Sequence, residues 1–202
     1  MAEELAVFVV DDDRAIRDSL TGLLEASGYR TRAYESARAF LASADVDSHG
    51  CVIADIRMPD MDGLELQAEM NARGSRLRVI VMTGHGDIPL AVRAMKAGAV
   101  DFLEKPYDTA VLLEAVRRAL SKPRDERSPT EISPEARAQL DSLTPREREV
   151  LDMIVAGKLN KSIAYELSIS QRTVEVHRAR LMKKMGARNM AELMRMMLGA
   201  PP

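Results

Sequence analysis

Between residues 5 and 120 the sequence changes its hydrophobic period again and again. Short apolar runs, "LAVFVV" (5–10), "RTRAY" (30–34), "CVIADI" (51–56), "RVIVMTG" (78–84) and "DFLEKP" (101–106), read as strands. Between them lie segments with helical spacing. Ile16, Leu20, Leu23 and Leu24 recur over 14–27 and stop at Gly28, and Ser36 opens "ARAFLASA". Further helices are expected over 64–73, 88–98 and 108–120. Five strands alternating with five helices leave few folds open. Each crossover returns the chain parallel to the strand before it, and the helices must cover both faces of the sheet. The expected class is therefore α/β, a five-stranded doubly wound parallel sheet.

The alternation stops near residue 121. The stretch "SKPRDERSPTEISPEARAQLDS" holds three prolines, many charges and few large apolar residues. Residues 122–139 therefore read as a linker, helical in part near "PEARAQL". Everything after it is helical. Thr144 and Pro145 open one helix that ends at Gly157, and others are expected at about 160–167, from Ser170 to near Gly186, and at about 189–198. The expected division is 1–121, a linker at 122–139 and a small four-helix domain at 140–202. Charge follows the same division. Residues 1–120 hold 14 basic and 20 acidic side chains, net −6, while residues 140–202 hold 11 and 7, net +4. An acidic front and a basic back suggest different partners.

Composition excludes several classes. The single Cys51 cannot form an internal disulfide and has no CxxC partner, so a reducing, cytoplasmic compartment is expected. The N-terminus "MAEELAVFVVDDD" carries acids where a signal peptide needs bases. No run approaches the roughly 20 apolar residues of a membrane span.

The chemistry gathers where strands end. Strand 1 runs into Asp11, Asp12 and Asp13, and strand 3 into Asp55. Strand 4 ends in Thr83 and strand 5 in Lys105, just before Pro106. In a parallel sheet these tips converge on one edge. Packed carboxylates resist ionising together, and a hard cation such as Mg²⁺ (or Mn²⁺) with oxygen ligands relieves the repulsion. Acids, a hydroxyl and an ammonium on one edge suit a phosphoryl group, with a carboxylate as covalent acceptor. Asp13 alone reads equally well as a cap for the helix beyond it.

The motifs "VVDDD", "ADIRMPDMDGLE", "VMTGHGD" and "MKAGAVDFLEKP" closely resemble the flavodoxin-like receiver domain (the CheY fold) of bacterial two-component response regulators. The resemblance implies that Asp55 is the phosphoacceptor. It implies a Mg²⁺ site formed by Asp11, Asp12, Asp55 and the backbone carbonyl of Arg57. Thr83 and Lys105 would contact phosphoryl oxygens, and the Lys105–Pro106 bond would be cis. Thr83 and Phe102 would move together as the switch, unless Phe102 is core packing only. Arg57 and His85 each lie two residues beyond a site residue, where they would tune the phosphoryl lifetime; a solvated loop position is the plainer reading of His85. In this family the face formed by residues 88–120 commonly pairs two receivers.

In the tail, a helix at about 160–167, the turn "LSIS" and a helix from Ser170 make a helix-turn-helix. The last of these turns Gln171, Arg172, Thr173, Glu175, His177, Arg178, Lys183 and Lys184 outward, a face able to enter a major groove. Lys158, Asn160 and Lys161 at the preceding helix start are placed for phosphates. The segments "TPREREVL", "NKSIA" and "RTVEVHR" resemble the LuxR-type DNA-binding domain. That resemblance implies groove-reading positions at Arg172, Thr173, Glu175, Val176 and Ala179. His177 lacks neighbours at metal spacing. The Met/Leu stripe of "MAELMRMML" either pairs two such domains or packs on its own bundle.

Together these resemblances describe a transcriptional response regulator of the NarL/FixJ family, leaning to its FixJ branch. The implied partners are a sensor histidine kinase, double-stranded promoter DNA, RNA polymerase and a second copy of the chain. Phosphorylation of Asp55 would pair receivers through 88–120 and present two DNA-binding domains, usually for activation. Two alternatives stand beside it. One is a constitutive DNA-binding regulator whose receiver is a protein–protein module. The other is a Mg²⁺-dependent aspartyl-phosphate phosphatase, although Arg57 stands where such enzymes carry a second Asp.

Overall fold

A computed structural model describes residues 6–84, 88–121 and 134–198, apart from the side chains of Ala44, Asp47 and Ile88. His85 and most of the expected linker, 122–133, lie outside the described residues. The first elements are β1 (Ala6–Val10), α1 (Arg14–Ala26), β2 (Arg30–Tyr34), α2 (Ala37–Leu41) and a 3₁₀ turn (Ala44–Asp47). They are followed by β3 (Gly50–Asp55), α3 (Gly63–Ala72), β4 (Arg78–Thr83), α4 (Ile88–Lys96), β5 (Asp101–Glu104) and α5 (Thr109–Ser121). The strands form one parallel sheet in the order β2-β1-β3-β4-β5, as the alternation requires.

The pleat explains which residues cover which face. Val7, Val9, Cys51, Ile53, Ile80, Met82 and Leu103 join Leu20 and Leu24 of α1 and Leu112, Ala115 and Val116 of α5 in one core. Phe8, between Val7 and Val9, points the other way and meets Phe40 of α2, with ring centroids 5.7 Å apart. Every residue of β3 is buried, as a central parallel strand covered on both faces should be. Each large apolar side chain so buried contributes about 1.5–3 kcal/mol. Across the edge of the sheet, Asp101 of β5 pairs with Arg118 of α5 at 2.7 Å and also accepts from the Phe102 N–H at 2.9 Å.

The helices begin where side chains satisfy their first N–H groups. Asp13 caps α1, accepting from Ala15 at 2.7 Å, so the capping role open to it in the sequence is realised. Asp62 and Glu65 form a reciprocal capping box at the start of α3. Gly63 follows for a steric reason. A Cβ there would sit 2.4 Å from the Asp55 carbonyl oxygen, because α3 starts against the tip of β3. Strand β5 stops at Glu104, two residues before the expected end; Lys105–Pro106 is cis, and Pro106 has no N–H for the ladder.

The remaining elements are α6 (Pro134–Asp141), α7 (Pro145–Val155), α8 (Asn160–Glu166), α9 (Gln171–Lys184) and α10 (Met190–Met197). Helix α6 is the helical part expected near "PEARAQL". Leu140, Val150, Leu151, Ile154, Ile163, Val174, Leu181, Met185 and Leu193 form their core. By contacts the chain divides into two compact units, and α4, expected with the sheet, groups with these helices. Thr144 and Glu147 form a second capping box, at the start of α7. The buried Glu147 carboxylate also receives Lys184 of α9 at 2.6 Å. The Lys184 and Thr144 donors hold its pKa down to about 2.

Two outcomes are expected. Gly63→Ala should lose about 1–3 kcal/mol in urea unfolding, because backbone must shift; Gly22→Ala, in a helix with open space around it, should gain up to about 1 kcal/mol. Glu147 has a folded pKa below its unfolded value, so its contribution is full above about pH 4.5 and fades as pH falls toward 2. Lys184→Met should cost about 1–3 kcal/mol at pH 7. It should also make the loss of hydrogen-exchange protection in α7 and α9 between about pH 4.5 and pH 2 shallower than in the unaltered chain.

Candidate functional site

Register builds the site. Val10 pairs with Ala54, so Asp11 and Asp55 leave the sheet side by side. Asp55 pairs with Met82 and Thr83 with Glu104, which carries the same edge on to Thr83 and Lys105. The Lys105 ammonium closes the row, 2.9 Å from Asp11 Oδ2 and 2.8 Å from Asp55 Oδ1. Carboxylate oxygens of Asp11, Asp12 and Asp55 all lie within 4.8 Å of one another. Asp11 is buried at 1% exposure and Asp55 at 7%, whereas Asp12 is exposed. The cluster is thus sunk in the sheet edge yet open to solvent on one side.

Its electrostatics are strained in a way a cation relieves. Burial raises the Asp55 pKa and the Asp11 charge adds to this, while Lys105 and the Arg57 N–H pull the other way. Burial lowers the Lys105 pKa, but its bonds to Asp55 and Asp11 outweigh that and leave it raised. One ammonium therefore serves buried acids that would otherwise repel. Three carboxylates at hard-ligand spacing fit Mg²⁺ or Mn²⁺, whose ligands are oxygens.

The other expected residues of this edge are found as follows. Arg57 is exposed, and its backbone N–H donates to Asp55 Oδ2 at 3.1 Å. Thr83 is 2% exposed, and among the described residues its hydroxyl makes a single long bond, 3.3 Å, to the Gly84 carbonyl. Phe102 is buried and pairs with Val81. The sequence reading missed Arg17, whose Nη1 donates to the carbonyls of Asp11 and Asp12 at 2.7 and 2.9 Å. Its signal is slight: a base one helical turn into α1. Cys51 has no part here; burial pushes its thiol up to about 12.

On the helical unit, α9 starts at its cap Ser170, whose Oγ accepts from the Thr173 N–H at 3.0 Å. Gln171, Arg172, Glu175, Val176, Ala179 and Lys183 are exposed along it, and Thr173, His177 and Arg178 are half-buried. Val176, 43% exposed among polar neighbours, is an apolar point on a charged face. Arg180, also exposed and one turn past Val176, extends the face and was not singled out from the sequence. Several expected contacts have partners inside the unit. Arg178 donates to Asn160 at 2.7 Å, Lys158 pairs with Glu166, and Lys184 is drawn back to Glu147. Lys161 is exposed. Arg146, also missed, donates to the Leu167 carbonyl at 2.6 Å and ties α7 to the turn between α8 and α9.

Comparison with known proteins covers both units. The family described as the response regulator receiver domain matches residues 7–117, straight through α4. The family described as bacterial regulatory proteins, luxR family, matches residues 141–197. The transcriptional regulatory protein FixJ of Azorhizobium caulinodans is 50% identical over 198 residues, 98% of this chain and 94% of that protein. FixJ of Rhizobium meliloti is 46% identical over 96% of each. Among solved structures, full-length FixJ from B. japonicum is 43% identical over 98% of both chains, with a TM-score of 0.57. The response regulator StyR is 40% identical over 96% of this chain, also with a TM-score of 0.57. Among the described residues no helix is long and apolar enough to cross a membrane. With both units matched and full-length relatives this similar, the chain belongs to the response regulators that join a receiver domain to a LuxR-type DNA-binding domain.

Proposed function

We propose that this FixJ-like response regulator is switched by phosphorylation of Asp55 and acts on promoter DNA, as an activator, within a two-component system. The observation that carries the reading is the Lys105 ammonium bonded to both Asp55 and Asp11 at the sheet edge. A sensor histidine kinase presents a phosphohistidine. An Asp55 carboxylate oxygen attacks phosphorus, the P–N bond breaks as the P–O bond forms, and the imidazole leaves with a proton. Asp55 is held for this by the Arg57 N–H and by the rigid tip of β3. Lys105 is free to move from the carboxylates to the phosphoryl oxygens as their charge arrives. Asp11, Asp12, Asp55 and the Arg57 carbonyl would hold Mg²⁺, which offsets the charge of the transferring group.

The switch then lies with Thr83 and Phe102. Among the described residues the Thr83 hydroxyl makes one long bond, so it has little to lose by turning to a phosphoryl oxygen. Phe102 sits next to Leu103 on β5, where a shift reaches the 88–120 face that would pair two receivers. Arg57, exposed over the site, and His85 would govern access of water to the acyl phosphate. On DNA, Arg172, Thr173, Glu175, Val176 and Ala179 would face base edges. Lys161, Lys183 and Arg180 would meet phosphates, RNA polymerase being recruited beside them.

Site-specific DNA affinity at fixed salt, with and without a small acyl phosphate and Mg²⁺, tests this. The phosphodonor should tighten binding roughly ten- to a hundredfold, and Asp55→Asn should abolish the gain. Specific binding indifferent to both would favour a constitutive regulator. Lys161→Ala or Lys183→Ala should reduce the salt slope of binding by about 1 each, since phosphate contacts release counterions.

A further inference from the structure

Arg17 occupies an unusual position. A single nitrogen of its guanidinium, Nη1, bonds the backbone carbonyls of two successive residues, Asp11 at 2.7 Å and Asp12 at 2.9 Å. Those residues supply two of the three clustered carboxylates. They leave the end of β1, where the last tie to the neighbouring strand is the Asp11 N–H donating to the Tyr34 carbonyl at 3.2 Å. The rest of the turn is tied locally. Asp13 N–H donates to Asp11 Oδ1 at 2.8 Å, Asp13 Oδ1 accepts from the Ala15 N–H at 2.7 Å, and Lys105 holds Asp11 Oδ2. The Asp12 side chain is exposed, so its direction depends on the peptide units on either side of it. Arg17 grips the carbonyls of both the residue before the first of those units and the residue before the second.

We infer that Arg17 is a positioning residue for the divalent cation: it touches no ligand oxygen of the carboxylates but fixes the backbone that aims Asp11 and Asp12 into the site. This rests on the reading that the cluster binds Mg²⁺. Two physical effects of Arg17 oppose each other, which makes the inference sharp. As a cation near a cation site it weakens metal binding by Coulomb repulsion, damped by solvent on the open side. As a clamp it strengthens binding, because disordered ligands must be ordered before they coordinate, and supporting partners of metal ligands typically contribute 10- to 100-fold in affinity. The clamp wins if orientation limits binding, and the sign of the change on removing Arg17 tells which does.

The test is Mn²⁺ binding to the full chain, read from the free-ion electron paramagnetic resonance signal, with Mg²⁺ competition. Arg17→Met, Arg17→Lys and Asp12→Asn are compared, and melting without metal reports the fold. Arg17→Met should bind roughly tenfold more weakly at unchanged melting temperature, with Arg17→Lys in between. Equal or tighter binding by Arg17→Met overturns the inference while leaving the metal site intact. Should Arg17→Met fail to fold, Arg17→Lys decides: weaker binding than the unaltered chain supports the clamp, and equal binding overturns it. No Mn²⁺ binding by the unaltered chain, unchanged in Asp12→Asn, overturns the metal reading itself and the inference with it.

Discussion

Lys105 donates to Asp11 and Asp55 at once, from the end of a strand separated from β1 by two others. That bond sets the terms for the whole sheet edge. Burying two carboxylates together is costly unless a cation satisfies them, and pairing one ammonium with both makes the arrangement stable without dispersing it. It also leaves the arrangement poised. Both oxygens of Asp11 and of Asp55 already accept a hydrogen bond, yet each carboxylate oxygen has a second lone pair. Asp12 adds another carboxylate from the exposed side, and a divalent ion can take up charge that Lys105 only partly balances. The tightness of the surroundings follows from the same point. Asp55 ends a strand buried along its entire length, and α3 begins so close to it that only glycine fits at 63. A carboxylate on so rigid a tip is held in one place more firmly than a loop residue would be.

The helical unit is organised by a different device. Its core of Leu, Ile, Val and Met side chains holds the helices together, but the direction of α9 is set by polar ties from three sides. Arg146 grips the turn before it, Asn160 receives Arg178 at its middle, and Glu147 receives Lys184 at its end. Each tie is charge-assisted and directional, as apolar contacts are not. They use up donors that would otherwise lie on the outer face. The part of α9 that these ties leave exposed is therefore narrower than its full set of polar residues, and includes Arg172, Glu175, Val176 and Ala179.

Much of this is legible in the amino-acid sequence. The five strands, their parallel direction and the convergence of Asp11, Asp55, Thr83 and Lys105 follow from period and position, because a parallel sheet sends every strand end with the same polarity to the same edge. Caps at Asp13, Ser36, Thr144 and Ser170 are readable for a similar reason: they act within one turn of their own position. What escapes the sequence acts at longer range. Arg17 is a base on an ordinary amphipathic helix until its guanidinium is seen on two carbonyls. Lys183 and Lys184 are adjacent, chemically identical and both exposed, yet Lys184 is paired to a buried glutamate 37 positions away.

The sequence by itself determined which residue types meet at the sheet edge and which helix presents a basic face, since both depend on local period and chain order. Only the tertiary structure decided which polar groups are spoken for. Whether a charge is available depends on what stands within about 3 Å of it. That in turn depends on how separate helices and strands settle against one another, a result of packing across each core that no single stretch of sequence contains.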